Sequence, residues 1–281
     1  MRLAFSTLGC PGDTLEQVLE VARATGSSGV ELRAADGEII HLDMTAEQRR
    51  DAREALAAAG VNVLALASYV RVCAPLGGDG GGDPVLAELL AAVDLAADLG
   101  AAHVRVFPGA GLAPHLPGAP LDAGLAAADR RGADRLNAAA ALARKRGVVL
   151  TLETHDSHPR GADMLRILAL VDPGAPVKVI WDLMHPWRHD EAPEVTAALL
   201  ADSLAYAQYK DGVRIPGTNN VTLSLPGQGD LPLVSMRALV RGIANAAGEP
   251  EPWISLEWER TWHPELPPLR EALDALKAVL G

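Results

Sequence analysis

Cysteine and clustered basic residues are what this sequence has least of. Its 281 residues include 2 cysteines, Cys10 and Cys73, which lie far apart and outside any C-x-x-C spacing. This pattern indicates neither a structural zinc site nor a disulfide framework, so both thiols are predicted to be reduced and structural. The formal net charge is −11, and basic residues cluster only at Arg144, Lys145 and Arg146. Because nucleic-acid affinity depends on clustered Lys and Arg, no nucleic-acid partner is expected.

Long apolar runs are also missing. The sequence has nothing approaching the roughly 18 uninterrupted apolar residues that a membrane-spanning helix needs. The N-terminal apolar run is too short for a secretory signal and leads directly into sequence typical of a folded domain. No membrane partner is therefore expected, and the cytoplasm is the expected location.

The chain does have a regular alternation of short apolar runs and helical patterns. Hydrophobic residues make up 49% of it, which is enough to bury a large core. Thr14 and Thr45 begin helical patterns, the second as a capping box with Gln48, and a glycine follows each helix. Apolar runs rich in β-branched residues predict eight strands, at 2–6, 29–33, 61–67, 103–107, 147–153, 177–182, 204–210 and 253–257.

Eight strand–helix repeats without a break in composition predict one domain over residues 1–281. Alternating strands and helices require a parallel sheet, and eight of them close most simply into an α/β fold of the (β/α)8 TIM barrel type. An open doubly wound sheet is the alternative, and the first strand lacks the glycine-rich fingerprint that would favour it. The glycine-rich segment 77–82 is predicted to be a flexible loop, with a phosphate-binding cradle as its alternative.

Several predicted strands end in residues that can bind a cation. Glu153, Asp182 and Glu257 end the fifth, sixth and eighth strands, and Gln208 lies near the end of the seventh. Because the carboxyl ends of barrel strands converge on one mouth, these side chains are expected to meet. Oxygen ligands of this kind suit Mn²⁺ or Mg²⁺, whereas structural zinc favours Cys and His ligands. A divalent-metal site is therefore predicted. No arginine adjoins each carboxylate in sequence, which favours the metal site over separate salt bridges.

Four further side chains are candidates for contact with a substrate. His155 follows the fifth strand, His185 lies three residues beyond the sixth, and Lys210 ends the seventh. Each could hold a substrate oxygen or transfer a proton, and a structural hydrogen bond is the alternative for each. Arg105 could bind a phosphate or carboxylate, although the lack of a basic cluster argues against a phosphorylated partner. Asp211 points away from this face and is predicted to support the site or cap a loop.

The strand ends also carry a resemblance to a known family. The matching residues in strand order are Glu153, Asp182 with His185, Lys210 with Asp211, and Glu257, supported by 29–33 and 95–109. They resemble the xylose isomerase-like TIM-barrel superfamily, which includes sugar and sugar-phosphate isomerases and epimerases, inosose and 3-dehydroshikimate dehydratases, and endonuclease IV. The resemblance spans nearly the whole chain.

The resemblance implies a divalent-metal site and a substrate-contacting histidine, His185. The metal ligands that it implies are Glu153, Asp182, Gln208 and Glu257. The ion would be Mn²⁺ or Mg²⁺, with Zn²⁺ or Co²⁺ as alternatives. Gln208 departs from many epimerases of the family, which have His there, and is similar to 3-dehydroshikimate dehydratases. Endonuclease IV needs additional histidines for a zinc cluster, which sets this chain apart from it.

The activity that the resemblance implies is a sugar, sugar-phosphate or polyol isomerase or epimerase. Such an enzyme removes a proton next to a carbonyl, and the metal stabilises the resulting enediolate. Glu153 and Glu257 are expected to act as the acid/base pair as well as ligands. A dehydratase of the same superfamily is one alternative, and a non-catalytic metal-dependent sugar-binding protein is another. The expected partner is a small sugar or polyol, and assembly into a homo-oligomer stays open.

Aromatic residues form only 4% of the chain, yet four tryptophans are expected near the mouth. They are Trp181, Trp187, Trp258 and Trp262. Each is interpreted either as a stacking wall for the substrate or as packing between barrel and helices. The last loop, 257–264, combines charge with aromatic rings and could close over the substrate or over a neighbouring subunit.

Overall fold

The computed structural model describes residues 2–77, 82–249 and 251–281. Eight parallel strands close into a barrel in the order β1-β10-β7-β6-β5-β4-β3-β2, which confirms the (β/α)8 TIM barrel. The strands are β1 Arg2–Ser6, β2 Gly29–Arg33, β3 Asn62–Arg71, β4 His103–Phe107, β5 Val149–Glu153, β6 Val177–Asp182, β7 Leu204–Tyr209, β8 Asp211–Arg214, β9 Val221–Ser224 and β10 Trp253–Leu256. The predicted glycine-rich loop at 77–82 falls mostly on residues 78–81, which lie outside the described residues.

β10 closes the barrel by pairing with both β1 and β7. In the register of β6 and β7, Asp182 lies opposite Gln208, so two of the predicted ligands are neighbours across the sheet. β8 and β9 form an antiparallel hairpin outside the barrel, which the strand prediction does not include. The carboxyl ends of the eight barrel strands therefore form one mouth, with the hairpin beside it.

Helices follow the strands and cover the outside of the barrel. They are α1 Leu15–Thr25, α2 Ala46–Ala58, α3 Pro84–Leu99, α4 Ala123–Arg146, α5 Gly161–Leu168, α6 Met184–Arg188, α7 Pro193–Leu200, α8 Leu233–Ala246 and α9 Leu269–Leu280. The capping box predicted at Thr45 is confirmed, and Thr14 forms a second one. α6 is a short unpredicted helix that begins directly after the Asp182 strand end. Across the described ranges, no helix has the length and apolarity needed to cross a bilayer.

Apolar side chains fill the space on both sides of the barrel wall. Inside it, a small cluster consists of Ala4, Leu64, Ala65, Ile180 and Tyr206. The main core lies between strands and helices and includes Cys10 and Cys73, which are buried and free, as predicted. Burial raises the pKa of both thiols to about 12, so they stay protonated at neutral pH.

His103 begins β4 at the end of the barrel opposite the mouth, and it makes stability depend on pH. Its ring centroid lies 5.4 Å from that of Tyr206, and its Nδ1 is buried without a hydrogen-bond partner. Burial lowers its pKa from 6.5 to about 4. Between these values the unfolded chain binds the proton and the folded chain does not, so stability present above pH 6.5 is lost as the pH falls towards 4.

We expect His103→Gln to flatten this pH dependence. As the pH falls through this range, the free energy of unfolding should decrease more in wild type than in the variant. The difference between the two decreases should be at most about 3 kcal/mol. Urea denaturation at a series of pH values measures it. The half-exposed His263 provides the control, His263→Gln, which should keep the wild-type slope. A parallel slope in wild type and His103→Gln would show that the neutral ring of His103 does not stabilise the fold.

Candidate active site

Three predicted carboxylates meet at the mouth of the barrel. Glu153 ends β5, Asp182 ends β6, and Glu257 directly follows β10. Each offers an oxygen, and these oxygens lie within 4.8 Å of one another. The three residues are 0%, 0% and 4% exposed, respectively. Strand ends separated by about a hundred positions in sequence therefore form one buried acidic cluster.

Gln208 lies beside this cluster on the neighbouring strand. Its Nε2 donates a hydrogen bond of 2.9 Å to Glu31 Oε2. Its Oε1 is buried and has no hydrogen-bond partner. Because the amide nitrogen of Gln208 already donates to Glu31, the amide oxygen is the atom available to another partner.

Glu31, in the middle of β2, is the site residue that the sequence reasoning missed. It is fully buried and accepts hydrogen bonds from Tyr206 OH at 2.8 Å, from Ser255 Oγ and from Gln208. Burial raises the pKa of its carboxyl group. A single acidic residue between two apolar residues of a buried strand is the signal that could have identified it.

The buried acceptor atoms of this site that lack a hydrogen bond belong to its predicted ligands. Both oxygens of Glu153, Oδ2 of Asp182 and Oε1 of Gln208 are buried without a hydrogen-bond partner. Within the described ranges, no other buried carboxylate or side-chain amide oxygen lacks one. Two of these atoms lie near a cation, Glu153 Oε2 at 3.4 Å from Arg105 and Asp182 Oδ2 at 2.8 Å from Lys210. A buried acceptor without a hydrogen bond costs about 1–3 kcal/mol, so their concentration at one place suits a further cationic partner. An all-oxygen set fits a hard divalent ion.

Arg105 provides one of the two buried cations beside this cluster. Its Nη1 lies 3.2 Å from Glu257 Oε1 and 3.4 Å from Glu153 Oε2. Its Nη2 donates to the carbonyl oxygen of Ser68 at 3.1 Å. The carboxylates therefore do have an arginine beside them, supplied by β4 and not by their sequence neighbours. Contact of Arg105 with a substrate stays a prediction.

Lys210 provides the other buried cation, directly after β7. Its Nζ lies 2.5 Å from Glu257 Oε2, 2.6 Å from Glu259 Oε1 and 2.8 Å from Asp182 Oδ2. The contact with Asp182 Oδ2 is an ion pair that opposes the effect of burial on the pKa of this carboxyl group. Lys210 thus links the ends of three strands, and its predicted contact with a substrate oxygen is untested.

The site has more buried carboxyl groups than buried cations. The acids are Glu31, Glu153, Asp182 and Glu257, and the cations are Arg105 and Lys210. Burial and neighbouring carboxylates raise the pKa of Glu153 well above its ordinary value and that of Asp182 to about 6. Lys210 and Arg105 outweigh burial at Glu257 and lower its pKa to about 2. The raised pKa values of Glu153 and Asp182 reflect burial together with this excess of negative charge, and a divalent cation would offset that charge.

The two predicted histidines adjoin the acids. His185 Nε2 lies 3.4 Å from Asp182 Oδ2, and its ring centroid lies 4.5 Å from that of His155. Burial lowers the pKa of His185 well below its usual value, so its ring is neutral. With Glu153, the two histidines form a second group of possible ligand atoms within 4.8 Å of one another. All four predicted metal ligands and all four predicted substrate contacts thus lie around one mouth.

Asp211 confirms the predicted loop-capping role. Its carboxylate accepts hydrogen bonds from the backbone N–H groups of Gly212, Gly227, Gly229 and Leu231, at 2.8, 2.8, 3.1 and 3.2 Å. Satisfying four backbone donors with one carboxylate fixes the connection between the β8–β9 hairpin and α8.

A cavity of about 130 Å³, here called the inner cavity, leads from the acids towards solvent. Arg105, His155 and Glu257 line it, as does Trp262, which is 55% exposed. Trp181 and Trp258 are completely buried in the packing of the barrel. Of these three tryptophans, Trp262 is therefore the one available to stack on a ligand.

Comparisons with known proteins agree with this fold. Residues 19–279 match the family described as xylose isomerase-like TIM barrel. No curated protein matches the sequence. A D-psicose 3-epimerase structure determined in the presence of D-fructose has a TM-score of 0.75 at 15% identity, with 100% of both chains covered. An IolI protein with a bound zinc atom has a TM-score of 0.73 at 18% identity, with 99% of this chain and 96% of that chain covered.

A third similar structure is described as "probable 3-DHS dehydratase AsbF" from Bacillus anthracis. Its TM-score is 0.72 at 14% identity, with 100% of this chain and 99% of that chain covered. At such identities these structures show a shared fold. The family match covers nearly the whole chain, and the protein therefore belongs to the xylose isomerase-like TIM-barrel family.

Proposed function

We propose that this protein is a divalent-metal-dependent sugar isomerase or epimerase that acts on the carbon next to a carbonyl. The observation that carries the proposal is the set of buried oxygens without a hydrogen bond on Glu153, Asp182 and Gln208, beside Glu257. Family membership supports it, since sugar epimerases and a zinc-bound protein share this fold. A sugar or polyol is the proposed type of substrate.

The proposed metal ligands are Glu153, Asp182, Gln208 and Glu257. Because all four are oxygen donors, Mn²⁺ or Mg²⁺ is the proposed ion, with Zn²⁺ or Co²⁺ as alternatives. When bound, such an ion polarises a carbonyl group and acidifies the neighbouring C–H bond. The carboxylates that contact Lys210 keep further lone pairs, so the ammonium and an ion can share them.

Glu257 and Glu153 are suited to opposite ends of a proton transfer. Lys210 and Arg105 lower the pKa of Glu257, whereas burial and neighbouring carboxylates raise the pKa of Glu153. Pairs of acids whose environments separate their pKa values are typical of acid/base sites. In our proposal Glu257 takes the proton from carbon, and Glu153 returns a proton to the same carbon or its neighbour. Exchange with solvent then restores both acids, so no net proton is consumed.

The surrounding polar groups would hold the substrate. His185 is neutral and buried against Asp182, so its ring can donate to or accept from a substrate oxygen. His155 lines the inner cavity and can do the same nearer to solvent. Arg105 and Lys210 carry positive charge beside the reacting centre and can stabilise an oxygen that becomes negative.

Incorporation of solvent deuterium tests this function. With Mn²⁺ in D₂O, we expect deuterium next to the carbonyl in at least one member of a panel of ketoses, aldoses and inososes, detected by NMR. Removal of the metal with EDTA should stop this incorporation of deuterium. Inversion at that carbon identifies an epimerase, carbonyl migration an isomerase, and loss of water a dehydratase. Tight metal binding without exchange across the panel would overturn the proposal and favour a metal-dependent binding protein.

A further inference from the structure

A second cavity adjoins the inner one. It has a volume of about 290 Å³ and is here called the outer cavity. Arg71 and Asp156 line both cavities, and Gly109 and Ser157 also line the outer one. Because they share two lining residues, the two cavities are neighbours, with Arg71 and Asp156 at their common border.

Arg71 places an exposed cation at the border between the two cavities. It is the last residue of β3, and its guanidinium has no hydrogen bond or ion pair within 4.0 Å among the described residues. Gly109 packs against its stem with a φ of +56°. A Cβ at residue 109 would lie 2.5 Å from Arg71 Cγ and 2.6 Å from Arg71 Cβ, so a larger residue would displace the arginine. The glycine therefore fixes the path of this side chain.

Asp156 places a carboxylate at the same border. Its φ is +48°, in the left-handed region that non-glycine residues adopt at a cost. Two backbone hydrogen bonds between His155 and His158, of 3.1 and 2.9 Å, close a tight turn with Asp156 near its tip. One carboxylate oxygen lies 2.9 Å from His155 Nδ1, and the side chain is 39% exposed. The carboxylate thus keeps acceptor capacity for a ligand.

A buried network holds this turn in place. Ser157 Oγ accepts from the Ala110 backbone N–H at 3.1 Å and lies 2.9 Å from His158 Nδ1. His158 Nε2 lies 2.7 Å from Asp129 Oδ1, and Arg166 donates to Asp129 Oδ2 at 2.9 Å. The Ser–His–Asp order resembles a nucleophile with its base, but Ser157 is only 2% exposed. The network instead orders the outer cavity before any ligand arrives.

We propose that the outer cavity binds a second, hydroxyl-bearing unit of the substrate, so that the natural substrate is a glycoside larger than one sugar ring. A guanidinium donor and a carboxylate acceptor that line the same cavity match neighbouring hydroxyl groups, which both donate and accept. A carboxylate beside Arg71 disfavours a phosphate or an acid at this position. The outer cavity is also larger than the inner one, at about 290 against 130 Å³. The identity of the reacting unit rests on the proposed function.

Calorimetric titration of the Mn²⁺-loaded protein tests this inference. The probes are maltose, cellobiose, lactose and trehalose, each compared with glucose, galactose and fructose. We expect at least one disaccharide to bind roughly tenfold or more tightly than the monosaccharides, because each charge-assisted hydrogen bond lost has an effect of that order. Arg71→Met and Asp156→Asn should each lower this ratio by about the same factor. Equal affinity for disaccharides and monosaccharides would overturn the inference.

Matched variants and a second readout complete the test. Arg130→Met and Asp202→Asn change exposed residues of the same types away from the mouth and should preserve the ratio. A preference for glucose 6-phosphate or glucuronate that Arg71→Met abolishes and Asp156→Asn retains would show an anion site and overturn the inference. Deuterium exchange in monosaccharides, without tighter binding of any disaccharide, would refute only the inference that the natural substrate is a glycoside. Disaccharide preference without any exchange would refute only the proposed reaction.

Discussion

Glu257→Gln is expected to lower the rate of deuterium incorporation by about 100- to 10,000-fold, the usual contribution of a positioned acid or base. The carboxylate of Glu257 accepts from Arg105 at 3.2 Å and from Lys210 at 2.5 Å, and both cations keep it ionised. An amide has nearly the same shape but cannot take up a proton. NMR measurement of exchange at saturating Mn²⁺ gives the rate.

Glu259→Gln is the matched control for this prediction. Glu259 also contacts Lys210, at 2.6 Å, but its side chain is 22% exposed and it lies outside the acidic cluster. We expect the rate to fall by less than about tenfold, since partly exposed ion pairs contribute little. Glu257→Asp keeps the charge and shortens the side chain, so a folded variant with an intermediate rate would confirm that the position of the carboxylate matters. Near-normal exchange in Glu257→Gln would remove Glu257 from the acid/base pair.

Mn²⁺ is expected to raise the melting temperature of the chelator-treated protein by about 5 °C at 100 times its dissociation constant. An ion that binds only the folded chain contributes about 2.7 kcal/mol at this concentration. For a chain of this size, each kcal/mol raises the melting temperature by roughly 2 °C. Thermal unfolding across a metal titration, repeated with Mg²⁺, Zn²⁺ and Co²⁺, measures the gain and the order of preference.

Glu153→Gln should have opposite effects with and without the ion. Both oxygens of Glu153 lack hydrogen bonds, so removing the carboxyl group relieves a buried acid in the metal-free protein and leaves its stability unchanged or higher. The same change removes a ligand, so most of the gain with Mn²⁺ should be lost. Glu191→Gln is the control, because Glu191 is already bonded to Gly161 N and Thr196 Oγ1, at 2.7 Å each. A full Mn²⁺ gain in Glu153→Gln would place the ion elsewhere.

Sequence patterns predicted those parts of the site that depend on where strands end. Glu153 and Asp182 end their strands as expected, and in a parallel barrel that position alone directs a side chain to the mouth. Contacts across the barrel were not predictable in this way. The hydrogen bond between Glu31 and Gln208 joins β2 to β7, which are not adjacent strands, and it depends on how the whole barrel closes.

The position of Arg71 is a second feature that local sequence patterns do not predict. The third strand was predicted to end at residue 67, but β3 continues to Arg71. The register with β4 shifts between Ala67 and Arg71, and such an irregularity redirects the side chains after it. The β8–β9 hairpin was missed for a related reason. Its strands are 4 residues each and only partly buried, so their apolar pattern is weak, although residues 216–220 read as a turn.

The hydrogen bonds of Glu31 link the proposed metal site to residues that are not among its proposed ligands. Tyr206, Ser255 and Gln208 all donate to this one carboxylate, so the orientation of the Gln208 amide depends on residues outside the proposed ligand set. Outer partners of this kind change ion affinity by about 10- to 100-fold in other sites. A substitution of Glu31 is therefore expected to change the ion affinity of the proposed site while its four proposed ligands stay the same.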